Sequence, residues 1–219
     1  MEAREVLKHV DHTELMQTAT WADIQKLCDD AVYYNTASIC IPPAYIKQAA
    51  EYLQAKLPVC TVIGFPHGYN TTAVKVFEVK DAIANGAEEV DMVVNLGWVK
   101  DKKFDAVTEE IKALKEAAGD KILKVIIETG LLTEDEKIAL CKCVTDGGAD
   151  FIKTCTGFAA GKATVEDIAL FKKHIGPNVR MKASSGMVTL DEGATFVEMG
   201  CERLGSKLLV NIAKEQNIQ

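Results

Sequence analysis

Four charged residues sit in short stretches that are otherwise apolar and β-branched: Asp91 in EEVDMVVN, Lys124 in LKVIIE, Lys153 in DFIKTCT and Lys182 in VRMKASS. An unpaired charge in such a stretch is costly, so each must be paired, neutralised or set against a wet cavity. A structural ion pair, such as Asp91 with Lys124, is one reading. Three lysines against one aspartate do not balance, however, and crowding among cations depresses the pKa of at least one amine. That is what amine catalysis on a carbonyl needs. A lysine at its ordinary pKa of about 10.4 is neutral roughly once in 2,500 molecules at pH 7, and lowering it to ~7 costs about 4.6 kcal/mol, which a nearby cation and desolvation can supply. A protonated imine on that lysine would draw into an enamine the charge left by carbon–carbon cleavage. Asp91 with Lys182 suits the accompanying proton transfers.

Such residues need a scaffold that brings distant strands together. Eight short β-branched runs recur, at 10–13, 37–41, 58–65, 88–95, 122–129, 150–156, 179–185 and 202–206. Helical patterns separate them. In 104–118, Val107, Ile111, Leu114 and Ala118 form one apolar stripe at spacings of three and four. Capping boxes at Thr20/Asp23, Thr133/Glu136, Thr164/Asp167 and Thr189/Glu192 mark helix starts. Glycines at Gly86, Gly147, Gly148 and Gly200 mark helix ends. The strand runs read as apolar on both faces, as in a parallel sheet covered by helices. Eight strand–helix units in this length predict an α/β fold, a (β/α)8 TIM barrel, with residues 1–219 as a single domain. A doubly wound open sheet is the alternative, but the Gly-x-Gly-x-x-Gly turn it would want is missing.

Composition excludes other classes. Of 219 residues, 48% are apolar and 26% charged, too many apolar side chains for a disordered chain. Net charge is -7, which opposes nucleic acid or an anionic membrane as partner. Trp21 and Trp98 have no basic residues interleaved to make a stacking platform. No apolar run approaches the roughly 18 residues of a membrane span, and the start lacks an apolar signal region, so a soluble cytoplasmic protein is expected. The seven cysteines, at 28, 40, 60, 141, 143, 155 and 201, form no CxxC pair and are expected reduced and buried. His9, His12, His67 and His174 include no i, i+4 pair, which argues against a metal site. His9 and His174 are expected at the surface, His12 and His67 as hydrogen-bonded loop residues.

The strings VDHTEL, CTVIGFPHG, GAEEVDMVVN, LKVIIETGLLT, GADFIKTCTGF, GKATVEDI and RMKASSGM, in this order from Val10 to about Ser206, resemble deoxyribose-phosphate aldolases. The resemblance implies a class I aldolase on a (β/α)8 barrel. It would cleave 2-deoxy-D-ribose 5-phosphate to D-glyceraldehyde 3-phosphate and acetaldehyde without metal or organic cofactor, often as a homodimer. It implies that Lys153 forms the imine, that Lys182 tunes it, and that Asp91 shuttles protons through a water. Asp11, Lys124 and Thr156 match supporting positions. Cys40 matches a cysteine near the substrate in relatives, although small core filler is the plainer reading of it. A relative drifted toward another sugar phosphate or an unphosphorylated aldehyde remains open, as does a phosphosugar-binding barrel without chemistry.

Phosphate sites in barrels gather in the loops after strands seven and eight and at a helix start. Here those loops hold Gly186, Gly205, Ser206 and Lys207, with Gly157 as a further donor. Relatives commonly read Gly-Gly-Ile-Arg where this chain has Ser185-Gly186-Met187-Val188, and small hydroxyl residues where it has Lys207. Ser185 would be strained if its backbone angle is one that suits glycine. Lys207, at the start of the last helix, is expected to compensate as a positive point charge near the dianion.

Overall fold

The structure, a computed structural model, describes residues 1–218. Strands β1 (Val10–Thr13), β2 (Ser38–Ile41), β3 (Val59–Ile63), β4 (Glu89–Val93), β5 (Ile122–Ile126), β6 (Phe151–Lys153), β7 (Arg180–Ser184) and β8 (Cys201–Ser206) pair in sequence order, all parallel. The ring closes where β8 returns to β1, with Val10 opposite Leu204 and Asp11 opposite Gly205. Closure rules out the open sheet and makes the fold a (β/α)8 barrel. Each of the eight sequence runs locates one strand: β1 matches its run, β8 begins one residue earlier at Cys201, and the other six are trimmed at one or both ends where the chain turns into a loop.

Between the strands lie α2 (Trp21–Tyr34), α3 (Ile46–Leu53), α4 (Thr72–Ala84), α6 (Phe104–Ala118), α7 (Glu134–Asp146), α8 (Val165–His174) and α9 (Leu190–Glu198). Helix α10 (Leu208–Glu215) follows β8. Two short helices were not expected: α1 (Ala3–Leu7), which packs on α9 and α10, and α5 (Leu96–Lys100) after β4. Five residues are too few to show a helical period. The apolar stripe of α6 is buried as its spacing predicts. The boxes at Thr20, Thr133 and Thr189 close in both directions. The fourth is half formed: Thr164 Oγ1 accepts from Asp167 N–H, but the Asp167 carboxylate turns to Lys137 Nζ at 2.6 Å. A nearby ammonium outcompetes one neutral N–H donor.

The expectation of strands apolar on both faces is corrected. Val90 and Met92 of β4 and Ile152 of β6 point outward into the core shared with the helices. The inward face carries Asp11, Glu89, Asp91, Lys124, Lys153, Lys182 and Arg203, with Cys40, Cys60 and Val62 as a small apolar cluster. The charges tolerate burial because they are paired across the lumen. A second buried pair lies outside the barrel, where Lys75 of α4 meets Glu110 of α6 at 2.8 Å and donates to the Val93 carbonyl at 2.9 Å. No helix of the described residues is long and apolar enough to cross a membrane. All seven cysteines are free and buried, as expected.

Candidate active site

Strand register builds the site. Asp91 lies opposite Lys124 on neighbouring β5, and Lys153 lies opposite Lys182 on neighbouring β7. Closure then turns β4 to face β6 and β7 across the lumen. Asp91 Oδ2 accepts from Lys153 Nζ and from Lys182 Nζ, each at 2.8 Å, while Oδ1 accepts from Lys124 Nζ at 2.8 Å and from the Cys60 thiol at 3.1 Å. One carboxylate thus holds three ammonium groups. Below it, Lys182 also donates to Asp11, Lys124 reaches Glu89 at 2.6 Å, and Arg203 spans Asp11 at 2.7 Å and Glu89 at 2.8 Å.

This corrects the sequence arithmetic of three lysines against one aspartate. Asp11, Glu89 and Asp91 face Lys124, Lys153, Lys182 and Arg203, three negative charges against four positive. A single surplus cation remains. Lys124 is fully buried among Asp11, Glu89 and Asp91, which is the structural ion pair that the strand pattern also allowed. Burial alone would raise Asp91, but the ammonium groups of Lys124, Lys153 and Lys182 outweigh it and hold the carboxyl well below its ordinary range. Burial alone would lower Lys182, but Asp11 and Asp91 hold it above the ordinary lysine value. Asp91 is therefore an anion at rest and Lys182 a cation.

Lys153 is the lysine of this set that reaches a cavity. It ends β6, is 3% exposed, and lines a cavity of about 290 Å³ at the C-terminal mouth of the barrel. Thr156, Gly157, Ser184, Ser185, Gly186, Gly205, Ser206 and Lys207 line the same cavity, so the loops after β6, β7 and β8 converge as expected. Gly157 and Gly186 both have φ of +83°, and their backbone N–H groups make no hydrogen bond among the described residues. At Gly205 an added Cβ would lie 2.6 Å from Ser184 Oγ, which only glycine allows. Cys40 is not part of this lining; it packs with Cys60 and Val62 under Leu15 and Phe65, as core filler. Cys40, Cys60 and Asp91 do place three possible metal-ligand atoms within 4.8 Å of one another. Three ammonium groups on Asp91 oppose a cation there.

Comparison with known proteins bears on the same residues. The sequence profile described as "DeoC/LacD family aldolase" matches residues 5–200. The chain belongs to the DeoC/LacD family of aldolases. It is 57% identical over 219 residues to a deoxyribose-phosphate aldolase from Clostridium botulinum (strain Alaska E43 / Type E3), covering 100% of this chain and 99% of that one. A deoxyribose-phosphate aldolase from Clostridioides difficile (strain 630) is 56% identical, with 98% of each chain covered. Among solved structures, one titled "QR15, an Aldolase" superposes with a TM-score of 0.92 at 35% identity, covering 97% of this chain and 96% of that one. A tetrameric deoxyribose phosphate aldolase from Aeropyrum pernix, at 24% identity and TM-score 0.91 over 99% and 93% of the two chains, bears on the fold alone.

Within this aldolase, two contacts at the mouth bear on the expected phosphate site. Lys207 is not a free charge, because its Nζ is held by the Glu14 carboxylate. Nor are all the N–H groups at the start of α10 open: the Ser206 hydroxyl accepts from Leu208 at 3.0 Å and Leu209 at 3.2 Å. The concern over Ser185 is met, since its φ is +78°. His12 departs from its expected loop role as well; it lies in β1, and its buried Nδ1 has no hydrogen-bond partner among the described residues.

Sequence reading missed Glu89, Arg203, Glu14 and Glu128. Glu89 and Arg203 were visible as charges inside strand runs, the same signal that exposed the lysines. Glu128 lies just beyond β5, buried and with φ of +57°, and accepts from Thr156 N–H and Thr156 Oγ1. It thereby fixes the loop that follows Lys153. Only the pairing of β5 with β6 makes that contact, and no local pattern announces it.

Proposed function

We propose that the chain is a deoxyribose-phosphate aldolase, reversibly cleaving 2-deoxy-D-ribose 5-phosphate to D-glyceraldehyde 3-phosphate and acetaldehyde. The Lys153 amine adds to the C1 aldehyde and water leaves, giving an iminium. Asp91, through a water and relayed by Lys182, takes the proton from the C3 hydroxyl. The C2–C3 bond then breaks, its electron pair enters the iminium to form an enamine, and glyceraldehyde 3-phosphate departs. Protonation of the enamine carbon and hydrolysis release acetaldehyde. The lysine supplies the electron sink, so this chemistry calls for no cofactor. The phosphate end is assigned to the mouth around Gly157, Gly186, Gly205, Ser206 and Lys207.

One observation carries the reading: Lys153 and Lys182 share one oxygen of Asp91, and Lys153 lies at the floor of the open cavity. The experiment is incubation with acetaldehyde and borohydride, followed by peptide mass mapping. An ethyl group on Lys153 is expected, absent in Lys153→Arg along with activity. Label on Lys182 or Lys124 would reassign the nucleophile, and appreciable turnover by Lys153→Arg would sink the mechanism. Residues 1–219 are read as one catalytic domain of a cytoplasmic homodimer, which fractionation and light scattering test.

A further inference from the structure

Glu14 has no part in the aldol steps, yet it stands in the mouth. It directly follows β1, is 8% exposed, and accepts from Met16 N–H at 2.9 Å through one carboxylate oxygen. The other oxygen holds Lys207 Nζ. Both side chains line the cavity above Lys153, and both also line a smaller polar cavity of about 170 Å³ with His12, Asp23 and Asp30. The ion pair is thus a wall shared by the two cavities. The Lys207 side chain is 50% exposed and so remains reachable from solvent.

We propose that Glu14 is a specificity-determining residue: its carboxylate competes with the substrate phosphate for Lys207 and opens the site to unphosphorylated hydroxyaldehydes and deoxysugars. The proposal rests on the assignment of the phosphate end to this mouth. A phosphate dianion arriving there meets a carboxylate of its own sign and must take Lys207 from it. A terminal hydroxyl, by contrast, can donate to Glu14 and leave the Glu14–Lys207 pair in place. Glu14 does not need Lys207 to stay seated, because its other oxygen is held by the Met16 amide. One carboxylate therefore weakens the phosphorylated ligand and favours the neutral one. Its effect falls on their ratio.

The test is the ratio of kcat/KM for deoxyribose 5-phosphate to that for unphosphorylated deoxyribose, in wild type, Glu14→Gln, Lys207→Ala and Glu215→Gln. In Glu14→Gln the ratio rises roughly 5- to 10-fold, mainly through KM, as expected when a buried carboxylate is removed from a half-exposed ammonium. The amide still offers an oxygen to the Met16 N–H, so the loop keeps its anchor. Lys207→Ala lowers the ratio by about 5- to 30-fold, at ~1.4 kcal/mol per decade. Glu215→Gln, exposed on α10, removes the same formal charge and leaves the ratio alone. An unchanged or falling ratio in Glu14→Gln overturns the proposal, as do equal losses on both substrates in Lys207→Ala. Wild type that cleaves neither substrate would sink the substrate reading itself, and this inference with it.

Discussion

A carboxylate that holds three ammonium groups cannot be replaced without consequence. Asp91 is ionised because Lys124, Lys153 and Lys182 surround it, and it is the acceptor closest to the proposed nucleophile. Asp91→Asn keeps the shape but presents one oxygen and a donor to three cations, and it cannot take a proton. We expect kcat for cleavage to fall roughly 10²- to 10⁴-fold, the range of lost acid–base catalysis, with KM moving much less. Steady-state kinetics alongside a thermal melt checks this; a change confined to KM would remove Asp91 from proton transfer. Cys60 shares the same carboxylate, and burial, then Cys40 and Asp91 beside it, hold its thiol well above the ordinary cysteine value. It serves as a neutral donor to Asp91.

Two elements carry local costs that can be measured. The loop after β7 places Ser185 at φ +78°, held by Ala163 N–H donating to its carbonyl at 3.2 Å. A non-glycine residue there costs roughly 1–2 kcal/mol, while glycine loses about 0.5–1 kcal/mol of unfolded-state entropy. Ser185→Gly should therefore stabilise the protein by up to about 1 kcal/mol in urea unfolding, and Ser185→Ala should not. A Ser185→Gly variant less stable than Ser185→Ala by glycine's own entropic cost of about 0.5–1 kcal/mol would show that the angle carries no strain. Strand β1 supplies the second case. Burial, only partly offset by Asp30, the Ser206 backbone and Glu14 and reinforced by Lys214, pushes His12 down to about 4 from 6.5. The folded state thus binds this proton less readily than the unfolded chain. Stability is complete above pH 6.5 and falls as pH drops toward 4, by on the order of 3 kcal/mol. In His12→Asn that slope between pH 6.5 and 4 should flatten, as read by denaturation at several pH values; an unaltered slope would place its source elsewhere.

For the molecule as a whole, the helix layer and the barrel are joined by a pair that no chemistry uses. Lys75 and Glu110 are both fully shielded, and Lys75 also caps the end of β4 through the Val93 carbonyl. Lys75→Met leaves Glu110 buried without its partner and should cost about 3–5 kcal/mol, whereas Lys75→Met with Glu110→Leu should recover most of that. Urea denaturation of the single and double variants distinguishes this from a general intolerance to change on α4. Failure of the double variant to recover would mean that the pair positions β4 rather than merely satisfying its own charges. Trapping of acetaldehyde on Lys153 should survive in any folded variant, because the pair lies outside the lumen.

The eight units, their order and the residues proposed for the chemistry were legible without coordinates. β-Branched runs, Thr-x-x-acid caps and helix-ending glycines act over a few residues, so a linear reading recovers them. Asp91, Lys124, Lys153 and Lys182 stood out because a charge in a strand has no local partner and must imply a distant one. Which distant one was a matter of closure. Only the ring brings Asp11, Glu89 and Arg203 to the same lumen, turning an apparent excess of lysines into four cations against three anions. A register shift between Met181 and Lys182 sets Lys182 against Arg203. Likewise, Glu14 meets Lys207, 193 residues away, only because β8 seals against β1. Local chemistry is short-ranged along the chain and therefore written in the sequence; the sign and balance of a buried charge network depend on which strands meet, and that is settled by the closed barrel.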